Sequence, residues 1–158
     1  MTTKITNIVR ILVILILITF LASCMSGGTH GSLKAYQYST KKIELEKAVL
    51  AVIESNPKIK RSNNISVEND GKYLTVFIKK DAEENEYIFR FAGDSIDWDT
   101  SGTSMISISY AFDSQGRGGS EGNGGMPRKV LKQLLQVFES EFINKLDTQL
   151  NITHTEIK

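Results

Sequence analysis

Acidic side chains supply the first candidate chemistry in this chain. Asp97, Asp99 and Ser101 place oxygen donors at alternate positions ahead of Gly102. Alternate oxygens on a tight turn suit a hard cation such as calcium, and glycine permits the bend. The carboxylate that would close such a loop at its twelfth position is replaced by Ile108. The same residues also read as a polar turn between edge strands, whose charges discourage aggregation. Trp98, the single tryptophan, lies between the two aspartates and serves either as a platform for a ligand or partner or as part of the core. A second acidic group comprises Asp81, Glu83, Glu84 and Glu86. Paired carboxylates do hydrolytic work only at a fixed separation in a cleft, and four charges in one exposed turn are expected to be solvated. The two histidines, His30 and His154, fall in a tether and a tail, where neither is expected to be held against a catalytic partner.

The stretch 114–125 holds six glycines, no apolar residue and two charged side chains, Arg117 and Glu121. Backbone amides of such a loop could cradle a phosphate ahead of the helix that Arg128 and Lys129 open. Neither GxxxxGK[ST] nor GxGxxG occurs in it, so no nucleotide is expected. A connector that long invites a use, and Arg117 and Glu121 are candidate contacts for a partner on which the loop orders. No residue set points to an enzyme, and no cofactor is expected beyond calcium at Asp97, Asp99 and Ser101.

Cys24 is the single cysteine, and it ends the string Leu21-Ala22-Ser23-Cys24 directly after an apolar run from Ile11 to Ala22. Lys4 and Arg10 precede that run. Twelve helical residues reach about 18 Å, short of the ~30 Å hydrocarbon core, so the segment reads as a signal peptide rather than a span. The string resembles the lipobox of bacterial membrane lipoproteins. That resemblance implies a signal peptide over 1–23, cleavage before Cys24, a thioether-linked diacylglycerol on its sulfur and an acyl chain such as palmitate on its new amino group. With no aspartate after the cysteine and no acidic residue in 25–32, it further implies the outer membrane and its periplasmic face.

Loss of residues 1–23 removes Lys4 and Arg10 from the 19 basic side chains and none of the 18 acidic ones, turning a formal charge of +1 into −1. That balance leaves no footprint for nucleic acid and no polybasic membrane patch. With its one thiol acylated, the chain has no intramolecular disulfide, and stability must come from packing.

Several elements must position these residues. Positions 24–33 read as the lipidated cysteine and a flexible tether. A single domain over 34–150 begins with an edge strand, Lys34 to Tyr38. A helix capped by Ser39 or Thr40 follows, with Ile43, Leu45, Val49, Val52 and Ile53 at helical spacing, and Asn56-Pro57 ends it. Strands are expected at Ile65–Glu68, Lys72–Lys80, Glu86–Phe91, around Ile96 and Trp98, and at Ser104–Phe112. Asn69-Asp70-Gly71 reads as a hairpin turn and 81–85 as a polar one. In the last strand Ile106, Ile108, Tyr110 and Phe112 alternate toward the core, with Ser107, Ser109 and Ala111 outward. From Pro127 a stripe of Val130, Leu134, Phe138, Phe142, Leu146 and Leu150 predicts a long helix, and 151–158 reads as a frayed tail. The fold class is α+β, a two-layer sandwich in which an antiparallel meander of 4–5 strands carries two helices on one face. With the first strand counted, the order β-α-β(4)-α is similar to the helix-grip arrangement of several small accessory lipoproteins. The expected function is non-enzymatic. A lipid anchor would present a small domain to a protein partner in the envelope. A ligand-binding module for glycan, lipid or calcium and an inhibitor or immunity lipoprotein are the alternatives.

Overall fold

The computed structural model describes residues 32–62, 73–92, 101–120 and 126–157. Alternation of apolar and polar residues builds the strands, and one seven-stranded sheet collects them. They are β1 (Lys34–Tyr38), β2 (Ile59–Arg61), β3 (Tyr73–Lys80), β4 (Glu83–Ala92), β5 (Ser104–Phe112), β6 (Gly118–Gly119) and β7 (Thr155–Ile157). The order across the sheet is β2-β3-β4-β5-β1-β7, with β6 paired to the far end of β5, and every pairing is antiparallel. Two helices pack against it. The first, α1 (Lys42–Ser55), carries the chain from β1 to β2. The second, α2, comprises Arg128–Phe138, a π turn at Glu139–Ile143, and Asn144–Leu150. The architecture is α+β with both helices on one face, as the sequence predicts, but the sheet is wider than the expected four or five strands.

The core forms where the inward rows meet the helices. Cross-strand neighbours Ile59, Ile78 and Asn85 make one row; Val76, Tyr87 and Ala111 the next; Leu74, Phe89 and Ile108 a third. Leu45, Val49, Val52 and Ile53 of α1 and Leu134, Phe138, Phe142, Ile143 and Leu146 of α2 close over them. Phe138 is the hub. Its ring lies 5.0 Å from those of Tyr87 and Phe142, 5.8 Å from Phe89 and 6.1 Å from Tyr36.

The π turn explains a peculiarity of the sequence. Apolar residues recur every fourth position from Val130 to Leu150, whereas an α-helix turns once in 3.6 residues. Each step of four therefore rotates the stripe by about 40°. A wider π turn holds one more residue and winds the stripe back, so Phe138, Phe142 and Leu146 all stay fully buried. Asn56, at the end of α1, points its amide nitrogen at the Glu141 carbonyl within that turn, 3.5 Å away.

Four local expectations are corrected. Lys41, in an extended conformation, occupies the N-cap of α1 and no side chain caps it; the Thr40 carbonyl instead accepts a bond from Ser104 Oγ at 2.8 Å. Ile43, placed on the apolar stripe by its spacing, is 56% exposed. In β5 the pairing slips at the Ile88/Phe89 step, leaving Ser109 without a register partner. That bulge reverses the alternation, so Ala111 turns inward while Tyr110 is 39% exposed and Phe112 is half-buried. Finally, the tail is ordered, and its pairing makes β1 an interior strand rather than the expected edge. Asn151 adopts a left-handed conformation (φ 53), the Ile152 amide reaches back to the Asp147 carbonyl, and the chain returns along β1 as β7. The expected strand at Ile65–Glu68, the Asn69-Asp70-Gly71 turn and the strand around Ile96 lie outside the described residues.

Candidate functional site

Of the residues singled out by sequence, Cys24, Asp97, Trp98, Asp99 and Glu121 lie outside the described residues. Ser101 is described, and its hydroxyl is engaged locally, with Thr103 Oγ1 and the Thr103 amide both 3.1 Å away. Among the described residues no group of three or more His, Cys, Asp or Glu side chains could hold a metal ion. The acidic cluster is dispersed by the sheet. A two-residue turn at Asp81-Ala82, tighter than the expected 81–85, starts β4 at Glu83. Glu84 and Glu86 then fall on opposite sides of the strand from one another's neighbours Glu83 and Asn85, and Glu84 lies 3.8 Å from Lys60.

The first half of the glycine-rich stretch is a built hairpin rather than a loose loop. Asp113 organises it. Its carboxylate accepts from the amides of Gln115 (3.0 Å) and Arg117 (2.8 Å) and from Arg117 Nε (2.7 Å). Burial alone would raise the Asp113 carboxyl, but these donors outweigh it and hold it below the usual carboxylate range. Gly116 supplies a left-handed turn (φ +72), and a β-carbon on Gly118 would lie 1.9 Å from the Ala111 carbonyl oxygen. Arg117 is thereby fixed at the sheet end rather than on a free loop.

There a cavity of about 350 Å³ opens between three elements. The β3–β4 hairpin contributes Lys80, Glu83 and Asn85, the β5–β6 turn Asp113 and Arg117, and the first turns of α2 Gln133 among others. Asn85 is only 3% exposed, sits in the inward row beside Ile78, and makes no side-chain hydrogen bond among the described residues. The sequence places it in a polar turn, but its alternation with Tyr87 and Phe89 is the signal that it faces inward.

A second polar cluster joins β1, β7 and α2. Tyr38 donates to Asp147 Oδ1 at 2.9 Å, and His154 Nδ1 lies 3.0 Å from Asp147 Oδ2. The imidazole stands edge-on to Tyr36, 5.3 Å between centroids. Lys34 bridges Glu139 (2.6 Å) and Glu156 (2.7 Å), and Tyr36 donates to Glu139 at 3.1 Å. His154 is therefore held, contrary to the expectation of an unfixed histidine in a tail, because Asp147 and two tyrosines from a distant strand meet it. The cluster ties the β7 segment to β1 and to the helix.

Burial raises the phenols of Tyr36, Tyr38 and Tyr87 far above the usual tyrosine value, aided by Glu139 at Tyr36 and Asp147 at Tyr38. Raised native values mean that stability is complete below the unfolded value of about 10 and falls as pH climbs beyond it. Absorbance of tyrosinate during an alkaline titration should show these three phenols ionising only as the fold is lost. Ionisation of all five tyrosines near pH 10 with the fold intact would contradict their burial.

No family model, no curated protein and no solved structure matches the chain.

Proposed function

We propose that this chain is an exported, lipid-anchored envelope protein whose α+β domain binds a protein partner and performs no catalysis. Cys24 and the apolar run before it support the anchor, with the outer membrane and its periplasmic face as the address. Among the described residues no helix is long and apolar enough to cross a membrane. The observation that carries the partner reading is the one-sided sheet. Both helices cover the same face, while the other presents Phe77, Ile88, Tyr110 and Phe112 on adjacent strands. Tyr110 and Phe112 stack with planes 7° apart and centroids 6.4 Å apart. Lys60, Lys79, Glu84, Glu86 and Arg90 stand on the same outward face, so it pairs an apolar centre with charges of both signs. Apolar area rimmed by polar groups is the composition of a protein contact rather than of a bare surface. A partner with an apolar patch and complementary charges fits it.

Photo-crosslinking in intact cells tests this reading. A benzoyl-phenylalanine at position 110 should give one discrete protein adduct, and the same group at the exposed Lys47 of α1 should give none. Adducts at neither position, or equally at both, would count against the sheet face as the contact.

A further inference from the structure

The cavity beneath the start of α2 lies on the helix side of the sheet, apart from the face just described. Its deepest polar group is Asn85. The row it belongs to is otherwise apolar, with Ile59 and Ile78 as its register neighbours. A leucine there would extend the core, whereas an amide with two donors and an acceptor left unmade opposes folding. Such a group is explained when something else completes its bonds.

The walls indicate what that is. Two register steps beyond Asn85, and so on its side of the sheet, Lys80 and Glu83 face each other across the hairpin. Glu83 makes no hydrogen bond or ion pair among the described residues, and Lys80 makes only a long contact of 3.4 Å to Ser140 Oγ. Arg117 spends its Nε on Asp113, and among the described residues its terminal nitrogens meet no acceptor. The site thus offers an unused carboxylate, two cations with donors to spare, and side-chain amides at Asn85 and Gln133, in about 350 Å³. That volume is at the small end of ligand pockets and exceeds what one bridging water fills. A carboxylate, two cations and a buried amide lining one cavity offer a partner for each end and for the peptide group of a short zwitterion. We propose that this cavity binds a short zwitterionic peptide. Arg117 and Lys80 take its carboxylate, Glu83 its ammonium, and Asn85 its amide.

The test uses the full chain in detergent micelles, with triglycine as probe and N-acetyl-triglycine amide as its uncharged control. Triglycine should shift the side-chain amide resonances of Asn85 and Gln133 in a saturable way. The blocked peptide should bind at least tenfold more weakly. Asn85→Leu should weaken triglycine binding at least tenfold while melting no lower than the wild type, because a group kept for a ligand is dispensable to the fold. Glu83→Gln, at an exposed position with no partner among the described residues, should weaken triglycine equally yet leave binding of N-acetyl-triglycine unchanged. Absence of a saturable shift with triglycine would mean that Asn85 is merely hydrated and would overturn the proposal. So would equal binding of the blocked peptide, or wild-type affinity in either variant.

Discussion

Truncating Phe138 to alanine is expected to cost about 3–5 kcal/mol of folding stability, and Phe142 to alanine as much. Both side chains are fully buried. Phe138 touches rings from β1, β4 and α2 itself, so its loss opens a hole bounded by three elements that cannot all move in. Phe142 completes a triangle of rings with Phe138 and Phe89, 5.5 Å from the latter. Because the two phenylalanines stack at 5.0 Å, the double variant should lose less or more than the sum of the singles, by a coupling of about 0.5–3 kcal/mol. Urea denaturation of each variant measures all three values. Losses below about 1 kcal/mol at both single sites would mean that α2 does not rest on the sheet through this stripe.

Replacing Cys24 by alanine carries the second large effect. One acyl chain holds a protein to a bilayer only marginally, at about 0.8 kcal/mol per buried methylene, while two or more make release negligible. On the proposed reading Cys24 receives at least the two chains of a diacylglycerol. Wild-type protein should therefore sediment wholly with membranes through salt and alkaline washes. Cys24→Ala should appear either in the soluble fraction or as an uncleaved precursor, and labelled fatty acid should enter only the wild type. Equal labelling of both forms would remove the lipid from the account.

The elements with strong local periodicity were legible in the sequence. Alternation gave β3, β4 and the first half of β5, and helical spacing gave α1 and α2. What local pattern does not mark is set by distant partners or by backbone alone. β2 is three residues long and follows a proline too closely to show a period. β7 presents only exposed residues, and its pairing with β1 is a matter of main-chain bonds. β6 is two glycines. The bulge at Ser109 leaves the apolar-small alternation of β5 intact in the sequence while reversing which side Tyr110 takes. His154 is fixed by residues on α2 and on β1, more than a hundred positions away in the latter case, so no local pattern marks it. Asn85 was hidden by its acidic neighbours, which made a strand look like a turn. The spacing of four in α2 was visible, and its departure from 3.6 is the trace of the π turn.

The central claim is that a lipid on Cys24 anchors this domain at a membrane, and the intact mass of the protein extracted from membranes tests it most directly. The account predicts a chain that starts at Cys24 and carries the mass of a diacylglycerol, with a further acyl chain on the new amino group. A chain that still includes residues 1–23, or one that starts elsewhere with Cys24 unmodified or absent, would contradict it.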